Sequence, residues 1–133
     1  MRLISDTALA VITVFQEAEG EPYVGKLAVA EVIRNRMRAR YQSDGTLAGT
    51  VLRQFQFSGW NSNSPNRTRS VQIDDDSLVV KDCARAWTEA NTGTDIAKGA
   101  LLYLNPKLAN PDWLNRVHIV AAFGNHQFFI EST

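Results

Sequence analysis

The chain has 133 residues, 44% of them hydrophobic and 21% charged, with 14 Lys/Arg balanced by 14 Asp/Glu. That size supports one domain with its own core, spanning residues 1–133, and the composition is that of an ordinary soluble globule. Zero net charge excludes a global field that gathers a polyanion, no apolar run approaches the ~20 residues of a stable membrane insertion, and a lone cysteine excludes an internal disulfide.

Ser5 or Asp6 can cap a first helix running to about Ala18, with Leu9, Ile12 and Phe15 at helical spacing. Gly20 stops it, and Pro22 suits the first turn of a second helix that runs to about Arg40. Leu27, Val29, Ala30, Ile33 and Met37 form that helix's inner face, and Asn35 faces inward or rims a cleft. Arg34, Arg36, Arg38 and Arg40 step around the cylinder and read as a solvated helix end. A short helix follows from Leu47 to about Gln54. Residues 55–75, rich in Gly, Ser, Asn, Pro and Arg, lose periodicity and read as a long loop, of the kind that is usually functional or mobile.

A third major helix starts near Asp76 or Ser77 and stops before Gly93, with Leu78, Val79, Cys83, Ala86, Trp87 and Ala90 inward. Cys83 is expected to be a small buried hydrophobe rather than a nucleophile. A short strand with a turn behind it is expected within Gly99–Pro106, and two more over Val117–Phe123 and Gln127–Ile130, these two joined by Gly124-Asn125-His126. The fold class is therefore α+β, mainly α, with a small C-terminal antiparallel sheet.

Chemistry concentrates where periodicity breaks. Glu17 falls in the last turn of the first helix beside its apolar stripe, where a half-buried carboxyl resists ionising and can serve as a general acid. The bland reading of Glu17, Glu19 and Glu21 is a solvated turn, and Glu21 alone can cap the second helix. His118 and His126 have no metal-ligand spacing, so no metal and no cofactor are expected. Glu17, Glu21, Asn35, Gln56, Asn105, Asn125 and His126, with aromatic faces from Phe57, Trp60, Tyr103 and Trp113, suit a carbohydrate cleft.

The run Glu17-Ala-Glu-Gly-Glu-Pro-Tyr-Val-Gly, followed by Ala28-Val-Ala-Glu-Val-Ile-Arg-Asn35-Arg36, resembles the opening of the SleB/CwlJ-type cell wall hydrolases, the spore-cortex-lytic enzyme family. Gln56-Phe57-Ser58, Gly99-Ala100-Leu101 running to Asn105-Pro106, Trp113, and Gly124-Asn125-His126-Gln-Phe-Phe129 agree in order. The chain departs from the family pattern at Glu19, where a basic residue is common, and at Tyr103-Leu104, where an aromatic and a histidine often precede Asn-Pro.

The resemblance implies a lysozyme-like domain that cleaves the MurNAc–GlcNAc β-1,4 bond of peptidoglycan strands as a lytic transglycosylase. It implies Glu17 as the catalytic acid, with Glu21, Gln56, Phe57, Tyr103, Asn105 and His126 binding the sugar. Ordinary glycoside hydrolysis needs a second carboxylate, roughly 5–5.5 Å away for retention or 6.5–9.5 Å for inversion. A lytic transglycosylase needs none, because the MurNAc 6-hydroxyl attacks C1. Muramidase-type hydrolysis with Glu21 as second carboxylate is the rival, and a non-catalytic glycan-binding module is the second class. Nucleic-acid binding through the arginines is disfavoured by the neutral charge. No signal peptide is visible at Met1-Arg2-Leu3-Ile4-Ser5-Asp6. The expectation is a phage endolysin-like protein, cytoplasmic on synthesis and reaching the wall after release by a holin-dependent route.

Overall fold

A computed structural model describes residues 5–52 and 77–132. In chain order these form α1 (Asp6–Ala18), α2 (Tyr23–Ala39), α3 (Leu47–Val51), α4 (Leu78–Ala90), β1 (Leu102–Leu104), a 3-10 turn (Asp112–Arg116), β2 (Val117–Phe123) and β3 (His126–Glu131). The mainly helical fold with a small antiparallel sheet matches the sequence expectation. Gln56, Phe57 and Trp60, and the loop expected over 55–75, lie outside the described residues.

Local chemistry sets the helix starts. The Ser5, Thr46 and Ser77 hydroxyls accept from the amides of Ala8, Gly49 and Val80 at 3.2, 2.9 and 3.2 Å, each satisfying an orphan donor of a first turn. Pro22 enters α2 in extended conformation. The α4 helix is followed by Gly93 at φ 106°, a left-handed position that glycine adopts freely.

The apolar faces of α1, α2, α3 and α4 converge on one cluster that includes Leu9, Val14, Leu27, Ile33, Leu47, Val51, Cys83 and Ala86. Trp87 packs against it, as expected. Leu78, expected inward, is exposed, because the first residue of α4 lies beyond the reach of the helices it packs on. A second cluster joins Ala28, Val29 and Val32 of α2 to Ala97, Ala100 and Phe128, and so seats the sheet on that helix.

The three strands run antiparallel in the order β1-β3-β2. Leu102 stands opposite Phe129 and Tyr103 opposite Phe128, so Tyr103 and Phe128 share the face that meets the helices. A bulge between Ile119 and Ala121 puts Val117 and Ile119 on the outer face with Phe129 and Glu131, and Ala121 on the inner face with Phe128. Phe128 is wholly buried, with the Tyr103 and Phe123 rings 5.7 and 6.0 Å from it.

The segment that delivers β1 is held by polar side chains of α2. Glu31, wholly buried, accepts from the amides of Ile96 and Ala97 at 3.1 and 2.7 Å. Arg34 donates to the carbonyls of Ala90 and Thr94, and Asn35 donates to that of Ala100 at 3.0 Å. Arg34 is 4% exposed and Arg36 is 5% exposed, so the expected solvated arginine end is corrected at both positions. Their places on the helix explain it: Arg34 follows Leu27 and Ala30, and Arg36 follows Val29, Val32 and Ile33, at i+3, i+4 or i+7.

Candidate active site

Glu17 occupies the last turn of α1, half-buried, where the helix ends point toward β1. The Tyr103 hydroxyl donates a hydrogen bond to its Oε1. Burial, then the Glu17 charge and that hydrogen bond, raise the Tyr103 pKa well above its ordinary value, so the phenol keeps its proton and stays a donor. The carboxyl is thus fixed from a strand 86 residues away in sequence.

Arg36 lies behind this pair. Its Nε donates to the Leu101 carbonyl at 2.6 Å, and its guanidinium sits 5.7 Å from the centre of the Tyr41 ring. Burial lowers its pKa, while the Tyr103, Tyr41 and Glu17 groups act to raise it, which places a buried cation beside the candidate acid. Sequence reasoning missed this residue because its charge was weighed above its position on the helix face.

Glu21 is held differently. Its Oε1 accepts from the Asn125 amide at 2.7 Å and its Oε2 from the Asn125 side chain at 2.9 Å. Burial pushes its pKa up, but the two hydrogen bonds from Asn125, then the charges of His126 and Lys26, outweigh that and hold it below the usual carboxylate value. The fit is tight on both sides. A Cβ on Gly25 would lie 3.0 Å from Glu21 Cβ, and one on Gly124, at φ 58°, would lie 2.5 Å from Glu21 Oε1. Lys26 completes the junction by donating to the carbonyls of Glu19, at 3.1 Å, and Glu21.

His126 lies between Tyr103 and Glu21. Its ring meets Tyr103 edge-on at 5.1 Å, and its Nδ1 stands 3.7 Å from Glu21 Oε1, beyond hydrogen-bond length. That nitrogen is buried with no hydrogen-bond partner among the described residues. Burial lowers the His126 pKa while the Glu21 charge opposes it, so the neutral imidazole is favoured near pH 7.

Of the residues singled out from sequence, the fold therefore joins Glu17, Tyr103, His126 and Glu21 in one line, with Asn125 at its end. Asn105 begins the turn after β1, where its Oδ1 accepts from the Lys107 amide at 2.9 Å. Trp113 packs edge-on to Phe129 at 5.6 Å, on the outer face of the sheet. No group of three or more His, Cys, Asp or Glu is placed to hold a metal among the described residues. Cys83 is buried, and burial pushes its thiol up to about 11, which suits the packing role expected of it. No helix among the described residues is long and apolar enough to cross a membrane.

Comparison with known proteins agrees with this architecture. The catalytic domain of the Bacillus cereus SleB protein superposes with a TM-score of 0.76 at 26% identity, covering 94% of this chain and 89% of that one. The catalytic domain of the germination-specific lytic transglycosylase SleB from Bacillus anthracis gives 0.73 at 27% identity, covering 94% and 93%. The spore cortex-lytic enzyme of Oceanobacillus iheyensis is 32% identical over 125 residues, which is 93% of this chain and 41% of that protein. The chain thus spans less than half the length of the curated relatives it matches. The fold is the lysozyme-like one of the SleB catalytic domain. The profile of the cell wall hydrolases matches residues 20–129, and the chain belongs to that Cell Wall Hydrolase family.

Proposed function

We propose that the chain degrades peptidoglycan by cleaving the MurNAc–GlcNAc β-1,4 bond as a lytic transglycosylase, with Glu17 as its single acid and base. The observation that carries this is the fixed Tyr103–Glu17 contact where α1 ends against the sheet. It fixes the carboxyl at the end of the first helix, beside the strand that would wall the sugar.

The steps use one carboxyl twice, first as acid and then as base. Protonated Glu17 gives its proton to the glycosidic oxygen as the MurNAc C1–O bond breaks, freeing the GlcNAc 4-hydroxyl. The MurNAc 6-oxygen then bonds to C1, and its proton passes to the Glu17 carboxylate. The product is a 1,6-anhydro ring, and the acid is restored without water. His126 and Tyr103 form the wall along which the sugar is positioned. The Bacillus anthracis neighbour is named a lytic transglycosylase, which supports the reading.

Hydrolysis through Glu21 is the less favoured route. Burial pushes the Glu21 pKa up, but the two hydrogen bonds from Asn125 and the charges of His126 and Lys26 hold it below the usual carboxylate value, which makes it a weaker base toward water. The test is mass spectrometry of muropeptides released from purified walls. Anhydro ends are expected, and Glu17→Gln should lower their release by about 10²–10⁴-fold, the usual worth of a general acid. Reducing ends as the main product, or undiminished release by Glu17→Gln, would overturn the proposal.

A further inference from the structure

A second concave site lies on the sheet face opposite Tyr103. It is a groove of about 370 Å³ whose walls include Tyr41, Leu102, Trp113, Arg116, Val117 and Glu131. We propose that this groove holds the peptide stem carried by the muramic sugar at the Glu17 site, a deepening that rests on the reading of peptidoglycan as substrate.

The wall chemistry selects a short zwitterionic peptide over a bare glycan. Arg116 and Glu131 line one groove, yet neither is paired with an opposite charge among the described residues. A neutral pyranose leaves both charges unanswered. A stem that contains a diamino acid offers a carboxylate for Arg116, whose planar fork suits it, and an ammonium for Glu131. The ring faces of Trp113 and Tyr41 accept the alkyl portions between those charges.

The groove is built rather than accidental. Trp113 is fixed by its edge-on contact with Phe129, and the Arg116 carbonyl accepts from the Ser132 amide at 2.8 Å. The α2 helix ends at Arg40 with φ 49°, and the Tyr41 amide donates to the Arg36 carbonyl at 2.9 Å, which turns Tyr41 back toward the sheet.

The groove also shares a strand with the residue that holds the acid. Leu102, on its wall, is the chain neighbour of Tyr103, which holds Glu17. Arg36 spans the gap, bonded to Leu101 and facing the Tyr41 ring. Among the described residues β1 pairs on one side only, so it is the sheet edge around which a substituent can pass. A stem of four residues reaches about 13 Å when extended, against a spacing of about 10 Å between layers packed on a sheet.

Two measurements test this, and they fail separately. The first is binding of the free tetrapeptide L-Ala-D-Glu-diaminopimelyl-D-Ala, followed by the NMR shift of the Trp113 indole N–H. Saturable movement is expected in the wild-type chain, and Arg116→Ala and Glu131→Gln should each weaken binding about tenfold, the loss of one charge-assisted contact. The second compares kcat/KM on peptide-bearing strands and on strands stripped of peptide. The ratio should favour peptide-bearing strands and fall toward one in Arg116→Ala. An indole signal that never moves, or a ratio of one in the wild type, would overturn the groove assignment. Tetrapeptide binding without cleavage of either strand would leave the groove intact and defeat the proposed reaction.

Discussion

The Tyr103 hydroxyl donates to Oε1 of Glu17, tying the end of the first helix to the edge strand of the sheet. One consequence is kinetic. Tyr103→Phe keeps the ring that packs on His126 and Phe128 but removes the donor that fixes the carboxyl. Misplacing a catalytic group by an ångström costs about 10²-fold, so kcat should fall by roughly 10–100-fold with KM little changed. Steady-state kinetics on soluble glycan strands check it. A changed KM with intact kcat would assign Tyr103 to sugar binding instead.

Glu21 and Asn125 form the clasp between the α1–α2 junction and the β2–β3 turn. Glu21→Gln turns one acceptor into a donor facing a donor, and should cost about 1–3 kcal/mol, read as a lower Tm. Gly124→Ala should do the same through its left-handed φ and its close approach to Glu21.

The pH dependence follows from the same pair. His126 has a depressed pKa in the folded chain, so its contribution is complete above 6.5 and declines as pH falls toward the folded value. Glu21 is also depressed. Its contribution is complete above 4.5 and is lost as pH falls through its folded value. Thermal melts should therefore show Tm falling in two stages on the acid side of 6.5. Glu21→Gln should flatten the lower stage, and His126→Phe the upper one.

Arg36→Lys is not a conservative change here. A lysine cannot reproduce the planar fork that reaches the Leu101 carbonyl while facing the Tyr41 ring. The stranded carbonyl should cost about 1–3 kcal/mol, measurable by urea denaturation.

Cys83 should resist alkylation. With its thiol pushed up to about 11 and its side chain buried, iodoacetamide at pH 8 is expected to label the unfolded chain and spare the folded one. Rapid labelling of native protein would place Cys83 at a surface.

The helices were legible because their signals are local: a hydroxyl cap, a following apolar stripe, a glycine after the end. Glu17, at the seam of two such patterns, was legible for the same reason. The strand order was not, since Leu102 opposite Phe129 is decided by packing between distant segments. Asn125 stood out as polar, but nothing near it in sequence reveals Glu21 as its partner, 104 residues away. The buried Arg34 and Arg36 were misread although the apolar spacing around them pointed inward. Gln56 and Phe57, named from the family pattern, lie outside the described residues.

Order of synthesis gives the Tyr103–Glu17 contact a last meaning. The helix bearing the carboxyl leaves the ribosome before the strand that presents the phenol, and that strand pairs with β3, which is made later still. A growing or prematurely ended polypeptide therefore carries the glutamate without its partner. The setting of the Glu17 carboxyl is fixed only once β3 has emerged and paired with β1.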